Sequence, residues 1–286
     1  VFGLKIGSTG RQKKNGFHIT AILIILLAFI ASICLFYALG DLRQYKTARD
    51  EYDSLESLIA DAEPDEQTGE DISEEEADSE HFYPLLDIDF NSLYAMNPDF
   101  VGVIYIPVLD IKYPIVKGEN NEEYLHQTFE GTNVFSGCIF MDYRNHEDFN
   151  DTFTFVYGHN MKDGSMFGNL KRFYREEGLC DQDPYVYIYT RDCVRKYKIF
   201  SYGIANVGTV DVFEVSNDDA EYDNYIKRLD NINLYHTANV DLSGHPDVLV
   251  LYTCHGSNNH SQKFLVHAAQ IKKYRTTAKG KTKVAR

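Results

Sequence analysis

The chain has 286 residues, of which 44% are hydrophobic and 25% charged, and this ordinary composition excludes a wholly disordered or fibrous protein. Five cysteines are too few for a small fold held together by disulfides. The net charge of −15 argues against general binding to nucleic acid phosphates.

Charge is distributed very unevenly along the chain. Residues 1–40 carry four basic side chains and no acidic ones, giving +4. Residues 41–80 carry 16 acidic side chains against three basic ones, giving −13, and the remainder is therefore −6. The pattern indicates a basic tip, an acidic stalk and a mildly acidic body.

An uncharged run of 21 residues extends from Ile19 to Leu39. A helix of about 20 residues spans the roughly 30 Å hydrocarbon layer, whereas the apolar part of a cleaved signal peptide is shorter. The basic residues before the run and Asp41 after it place the N-terminus in the cytoplasm. We therefore predict a cytoplasmic basic tip (1–18), a transmembrane signal anchor (19–39) and a folded body outside the cell membrane.

Residues 40–80 are predicted to form a stalk. Apolar residues at helical spacing between Asp41 and Ala60 favour a short helix. Residues 61–80 are nearly all acidic or small, which is typical of a self-repelling tether, and a solvated helix face is the alternative. The basic tail at 276–286 is expected to be disordered.

The body, 81–275, is predicted to be mainly β. Its short runs are rich in Val, Ile, Tyr and Phe and are separated by turn residues. About eight such strands in under 200 residues favour a closed or nearly closed β-barrel. The predicted strands are 101–106, 111–116, 137–141, 152–157, 185–189, 196–205, 248–252 and 264–271. Peripheral helices are few, and the candidates are Asp218–Leu229 and Ser165–Phe173.

Two residues at strand ends are candidates for nucleophilic chemistry. Cys254 ends a strongly apolar strand, and the chain then turns polar, which is a placement where a reactive thiol can be used. His159 follows another β run, and a histidine close to a cysteine can take up the thiol proton or return one to a leaving amine. Pairing among Cys138, Cys180 and Cys193 is left open, since disulfides cannot be deduced from spacing.

The motifs around these residues resemble those of class B sortases, membrane-anchored cysteine transpeptidases of Gram-positive bacteria. The resemblance rests on YGHNMKDGSMFGNL at 157–170 and LYTC at 251–254, with NPDFVGVIYIP, IKYPIVKGENNEEYL and GCIFMDYRN upstream. It covers roughly residues 97–271 together with the anchor and stalk. It implies the sortase-type eight-stranded β-barrel, with Cys254 as nucleophile and His159 as the catalytic histidine.

One expected residue is replaced. The resemblance implies an arginine about nine positions after the cysteine, in a pattern like RFVVH, and this chain has Lys263-Phe-Leu-Val-His267. A guanidinium is a rigid, planar fork of donors, whereas an ammonium supplies the charge on a flexible stem. Losing one preorganised donor to an oxyanion typically costs about 2.7–4 kcal/mol. We therefore expect a slow but working enzyme, one with adjusted geometry, or a catalytically impaired sortase-like surface scaffold.

The resemblance also implies the reaction and its partners. A C-terminal sorting signal of the Asn-Pro-x-Thr kind, on a secreted protein, is cleaved after Thr. The acyl chain then passes through a thioacyl-enzyme to a cell-wall precursor amine or a pilin lysine. Tyr252 and Thr253 flank the nucleophile and are predicted to bind substrate. No cofactor or metal is expected, and class B members are generally independent of calcium.

The spacing of cysteine and histidine argues against two other enzyme classes. A zinc hydrolase using Cys254, His255 and His260 lacks the usual two groups of paired ligands. A papain-like protease has its cysteine upstream of its histidine, whereas His159 precedes Cys254 here.

Overall fold

The structure, a computed structural model, describes residues 12–61, 83–206, 219–237, 239–254 and 261–275. Apart from Asp61, the predicted acidic tether therefore lies outside the described residues, as does the basic tail 276–286. The chain divides into two compact units, with the boundary between Thr47 and Ala48.

The first unit is the apolar part of one long helix, α1, which runs from Gln12 to Glu56. Its large side chains between Ile19 and Leu39 are exposed, and the helix is long and apolar enough to cross a membrane. It is a candidate membrane anchor, in agreement with the predicted span.

The predicted stalk helix is wrong at its C-terminal end. α1 ends at Glu56, and the chain then forms strand β1 (Ile59–Asp61). β1 pairs antiparallel with β2 (Leu86–Ile88), where Ile59 lies opposite Ile88. Local helical spacing was overridden by pairing with a strand 27 residues further along, a contact that a periodicity pattern does not reveal.

The second unit is built on a closed barrel of eight strands. Around the ring the order is β11-β10-β6-β5-β4-β3-β7-β8, and β8 pairs with β11 to close it. A further strand, β9, is added to the outside edge of β8. The strands are β3 (Phe100–Ile106), β4 (Ile111–Val116), β5 (Ile139–Met141), β6 (Phe153–Tyr157), β7 (Tyr185–Tyr189), β8 (Cys193–Asn206), β9 (Asn233–His236), β10 (Val248–Cys254) and β11 (Gln262–Arg275).

All eight predicted strands are present, and together they form the predicted closed barrel. The strands at 111–116 and 185–189 have their predicted bounds. The longest two, β8 and β11, extend beyond the predicted runs because they pair with each other over most of their length. The strands missed were β1, β2 and β9, each only three or four residues long.

The helices that connect the strands of the second unit are short. The predicted helix at 165–173 is instead a 3₁₀ turn at Gly168–Lys171 followed by α3 (Arg172–Arg175). The other elements are α2 (Phe90–Met96), which Asp89 caps through the Ser92 N–H, α4 (Leu179–Gln182) and α5 (Asp219–Leu229). α5 begins at Asp219, the first described residue of the predicted helix 218–229, and ends at Leu229 as predicted.

One face of the barrel wall is covered by α5. The rings of Tyr222 and Tyr225 pack on Phe153 of β6, with centroids 5.2 and 4.6 Å away. The Tyr225 hydroxyl also lies 2.9 Å from Nε2 of His267 on β11. Burial lowers the pKa of His267 to about 3, so this imidazole is neutral and structural.

The C-terminal turns of α1 belong to the barrel unit. Leu55 and Ile59 are each 1% exposed and join the same apolar cluster as Phe100 and Phe129. The Glu51 carboxylate accepts a hydrogen bond from the Glu130 N–H at 2.8 Å. Part of the predicted stalk is therefore a packed component of the folded unit.

A fragment that begins at residue 81 is expected to be less stable than one that begins at residue 48. Burying a Leu or Ile side chain contributes about 1.5–3 kcal/mol, and the shorter fragment loses both Leu55 and Ile59. We expect its free energy of unfolding in urea to be lower by about 3 kcal/mol or more. A fragment 48–286 carrying Leu55→Ala is the control and should lie between the two. Equal unfolding midpoints for 48–286 and 81–286 would contradict this packing.

Candidate active site

Two neighbouring parallel strands end at the same edge of the barrel. β6 and β10 pair in parallel with Tyr157 opposite Tyr252. Beyond this pair, the Gly158 N–H donates to the Tyr252 carbonyl at 3.2 Å, and the Thr253 hydroxyl donates to the Gly158 carbonyl at 2.7 Å. The next residues are His159, two positions beyond the end of β6, and Cys254, the last residue of β10. Parallel pairing therefore brings together two residues that are 95 positions apart in sequence.

The third candidate lies directly across from Cys254. β11 pairs antiparallel with β10, and in this register Cys254 is opposite Lys263. Side chains directly opposite in an antiparallel pair lie on the same face, with Cβ atoms about 4.5–5.5 Å apart. The backbone of β6, β10 and β11 thus places His159, Cys254 and Lys263 at adjacent positions.

The His159 imidazole is fixed on one side by a backbone carbonyl. Its Nε2 lies 2.8 Å from the carbonyl oxygen of Leu125. A carbonyl only accepts hydrogen bonds, so Nε2 carries a proton in this arrangement. In the neutral ring the lone pair that exchanges a proton is then on Nδ1. The contact selects a tautomer as well as an orientation.

Two further rings surround this imidazole. Phe135, which is 55% exposed, has its ring centroid 5.1 Å from that of His159. The exposed His126 ring stacks on His159 at 6.0 Å with an interplanar angle of 29°. His159 is consequently half-buried, with an aromatic side chain between part of the ring and solvent.

A glycine allows the Leu125 carbonyl to reach its position. Gly137 has φ +57°, and a Cβ there would lie 2.5 Å from the Leu125 oxygen and 2.6 Å from the Tyr124 oxygen. Any side chain would therefore displace the backbone that holds His159. The Gly137 carbonyl accepts a hydrogen bond from the Tyr52 hydroxyl at 3.0 Å, which ties this turn to the end of α1.

The loop that follows His159 folds back on itself. The Phe167 N–H donates to the His159 carbonyl at 3.0 Å, and the Met166 N–H donates to the Tyr113 hydroxyl at 3.2 Å. At Gly158 a Cβ would meet the side chains of Ile139 and Phe167 at 2.5 and 2.8 Å. The backbone of His159 is therefore held from both directions along the chain.

Lys263 lies over an aromatic ring. Its Nζ is 5.6 Å from the ring centroid of Tyr252, within the range of a cation–π interaction. The Tyr252 ring in turn packs edge-to-face on Tyr157, with centroids 5.1 Å apart and an interplanar angle of 73°. Both Lys263 and Tyr252 are half-buried.

Below these rings is a buried carboxylate, Asp142, which is 1% exposed. It accepts hydrogen bonds from the Tyr157 hydroxyl at 2.7 Å, the Asn121 amide at 2.9 Å and two Arg144 nitrogens at 2.8 Å each. Burial opposes ionisation of Asp142, but these hydrogen bonds outweigh it and lower its pKa to about 2. Burial and the neighbouring carboxylate raise the pKa of Tyr157 well above its usual value.

The predicted substrate-binding residues have different placements. Tyr252 is partly accessible beside Lys263. Thr253 is 3% exposed, and its hydroxyl donates to Gly158. Thr253 thus joins the two strands, and a substrate contact by either residue stays a prediction.

Two of the cysteines elsewhere in the described chain, Cys138 and Cys180, are poor nucleophiles. Cys34, Cys138, Cys180 and Cys193 form no disulfide. Burial raises the pKa of the Cys138 and Cys180 thiols to about 12. Only a thiolate is nucleophilic, so these two groups do not compete with Cys254.

No group of three His, Cys, Asp or Glu residues arranged to hold a metal ion occurs within the described ranges. His255 and His260, which the zinc hypothesis used, lie outside them.

A separate open cleft of about 930 Å³ lies by the N-terminal end of β7, lined in part by Asp181, Tyr185 and Lys198. Lys198 pairs with Ala269, which is six residues along β11 from Lys263. At about 3.3 Å per residue the cleft is roughly 20 Å from the candidate site and is not part of it.

Comparison with known proteins identifies the family of this chain. A family model described as a sortase domain matches residues 104–271, which is more than half of the chain. The chain belongs to the sortase family. Sortase B of Listeria monocytogenes is 29% identical over 181 residues, covering 62% of this chain and 72% of that protein. Sortase B of Staphylococcus aureus is 29% identical over 197 residues, covering 67% and 76%.

Structural comparison gives the same class. The X-ray structure of Clostridium perfringens sortase B superposes with a TM-score of 0.59 at 29% identity, covering 64% of this chain and 99% of that chain. These findings confirm the resemblance to class B and the sortase barrel. The protein is a sortase-type cysteine transpeptidase, which also removes the papain-like alternative. The individual roles of Cys254, His159 and Lys263 stay predictions.

Sequence reasoning missed the groups that support the site. His159 is contacted by the Leu125 carbonyl, which Gly137 admits, and by the Phe135 ring. Asp142 holds the Tyr157 hydroxyl. None of these groups belongs to a catalytic residue pattern. The available signal was weak: a glycine and an Asp-x-Arg pair, both within the motif around residues 137–145.

Asp142 is expected to make the stability of this sortase depend on acidity. Its folded pKa of about 2 lies below the usual 3.8, so its contribution is complete above pH 4 and is lost as pH falls toward 2. The shift corresponds to about 2 kcal/mol. We expect the difference in unfolding free energy between the wild type and Asp142→Asn to shrink by that amount between pH 6 and pH 2. An Asp87→Asn variant, altered at an exposed carboxylate, is the control. A constant difference over this range would contradict the assignment.

Proposed function

We propose that this class B sortase cleaves a C-terminal sorting signal on secreted proteins and transfers the new acyl end to a cell-wall or pilin amine. The observation that carries the proposal is the parallel pairing of β6 and β10, because it brings His159 to the same edge as Cys254. A thiol alone gives an acyl-enzyme slowly at neutral pH, and a neighbouring imidazole is what makes it an efficient nucleophile.

In the first half-reaction, the Cys254 thiolate attacks the carbonyl carbon of the scissile peptide bond. A C–S bond forms and the carbonyl oxygen becomes an oxyanion, which the Lys263 ammonium stabilises from across the strand pair. The C–N bond then breaks. His159 gives its proton to the departing amine, leaving a thioacyl-enzyme.

In the second half-reaction, an acceptor amine replaces the leaving peptide. His159, now neutral, removes a proton from the attacking amine as its nitrogen bonds to the thioester carbon. The C–S bond breaks, the thiolate is regenerated and an amide is formed. The Nε2 hydrogen bond to Leu125 keeps the ring oriented through both steps, so proton exchange runs through Nδ1.

The substrate motif proposed for the sorting signal is of the Asn-Pro-x-Thr kind, with cleavage after Thr, and Tyr252 and Thr253 are proposed to contact it. The acceptor is a peptidoglycan precursor amine, with a pilin lysine as the alternative. No cofactor or metal enters the proposed reaction. Phe135, exposed beside His159, offers an apolar surface for the sorting signal.

The proposed topology is a single membrane pass with the N-terminus in the cytoplasm and the barrel outside. It is supported by the exposed apolar α1 segment and by the basic residues that precede it. The chain would then present the barrel to substrates that have just crossed the membrane. Transpeptidation at the surface requires that side.

The second candidate is a catalytically impaired surface scaffold, and the observation that favours it is Lys263 in place of the expected arginine. This candidate predicts no release of a leaving peptide. It also predicts a gain of turnover in Lys263→Arg.

Cys254→Ala is expected to abolish cleavage of a fluorogenic Asn-Pro-x-Thr peptide library, and His159→Ala to lower kcat/KM by roughly 10²–10⁴-fold, because proton transfer is lost. Wild-type protein should react at Cys254 with a thiol-directed probe. The matched control is Cys180→Ala, which removes a buried thiol far from the site and should preserve both activity and labelling. Undiminished cleavage by Cys254→Ala would end the nucleophile assignment.

Lys263→Ala is expected to lower kcat by roughly 10- to 10³-fold, whereas Lys263→Arg should preserve or raise it, because a donor to the oxyanion is removed in one and kept in the other. The readout is kcat with saturating peptide and a triglycine or diamino acid acceptor. Lys272→Ala, at an exposed lysine on the same strand, is the control. If Lys263→Ala keeps full turnover, another group holds the oxyanion.

A further inference from the structure

The Lys263 and Tyr252 side chains share one face of the β10–β11 pair. Tyr252 and Cys254 are two residues apart on one strand, and Lys263 lies opposite Cys254. Lys263 and Tyr252 are therefore diagonal neighbours, a relation within reach of a long side chain and an aromatic ring. The 5.6 Å between Nζ and the ring centroid shows that they make this contact.

We propose that Tyr252 is a positioning residue, whose ring face holds the Lys263 ammonium beside Cys254 and so compensates for the absence of a guanidinium. The proposal rests on the function proposed above for Lys263. It is an alternative to the substrate contact given above for Tyr252, because it assigns the ring a partner within the chain.

The need for such a residue follows from the chemistry of lysine. An ammonium is a compact charge on a four-carbon stem with many rotamers, whereas a guanidinium presents a rigid, planar fork. A donor that must be ordered during the reaction stabilises the oxyanion less than one already in place. A ring face attracts the cation through its quadrupole and does not itself take up an N–H group in a conventional hydrogen bond.

The ring itself is well anchored. Tyr252 packs edge-to-face on Tyr157, whose hydroxyl donates to Asp142. Asp142 accepts hydrogen bonds from Nε and Nη2 of Arg144 and from the Asn121 amide. Contacts therefore connect the buried, ionised Asp142 to Tyr157 and then to Tyr252. They hold the Tyr252 ring in the position where it contacts Lys263.

The alternatives for Tyr252 make different kinetic predictions. A residue that binds substrate directly changes KM when it is removed. A residue that only fills space destabilises the fold and lowers activity equally, whichever side chain is at 263. A residue that positions Lys263 changes kcat, and only while Lys263 is present.

The test is a double-mutant cycle in the full chain, purified in detergent. Tyr252→Leu removes the ring, and Tyr252→Phe, the matched control, keeps its face. Tyr252→Leu is expected to lower kcat roughly 3- to 30-fold with KM unchanged, and Tyr252→Phe to retain most of the activity. In a Lys263→Ala background, Tyr252→Leu should have no further effect. An equal loss of kcat in both backgrounds, or a rise in KM alone, would overturn the proposal.

A spectroscopic readout keeps the proposal testable even if turnover is absent. In protein labelled with ¹³C-lysine, the Cε protons of Lys263, assigned with Lys263→Arg, should be shifted upfield by the tyrosine ring. The shift should persist in Tyr252→Phe and disappear in Tyr252→Leu. An unchanged resonance in Tyr252→Leu would refute the contact. Absence of turnover together with the expected shifts would sink the proposed function and leave the positioning contact standing.

Discussion

The site depends on one side-by-side alignment, the parallel pairing of β6 with β10. The Thr253 hydroxyl and the Gly158 amide extend this alignment beyond the last pair, Tyr157 and Tyr252, toward the positions of His159 and Cys254. Parallel strands pair only through long connections, so nothing local in the chain brings these residues together. Closure of the barrel holds β6 and β10 in this register. β11 pairs with the other edge of β10 and places Lys263 opposite Cys254.

Around this alignment, each functional group has its own support. His159 is held by the Leu125 carbonyl, and Lys263 lies on the ring of Tyr252. The two supports are built differently. One is a backbone contact that depends on Gly137, and the other is an edge-to-face ring pair, Tyr252 on Tyr157, in which the Tyr157 hydroxyl donates to Asp142. The side chain at position 263 can therefore differ without any change in the contacts that hold His159.

The sequence predicted most of the barrel and the candidate catalytic residues, but not what surrounds them. Alternation of Val, Ile, Tyr and Phe reveals strands such as β4 and β7, because those patterns are local. The stalk helix failed at its end, since pairing of Ile59 with Ile88 depends on a distant segment. The Leu125 carbonyl could not be predicted, because any residue supplies a carbonyl and only the fold decides where it points. Lys263 was found as a departure from a motif, yet its contact with Tyr252 required the register of β10 and β11.

The hydrogen bond from Tyr52 to the Gly137 carbonyl has a bearing on how recombinant forms of such enzymes are interpreted. Tyr52 lies within residues 1–80, the segment that a shortened form beginning at residue 81 lacks. Its phenol supports the turn that presents Leu125 to the imidazole. Poor turnover in a shortened protein would thus reflect a misaligned histidine, and reading it as a requirement for lipid would be an error.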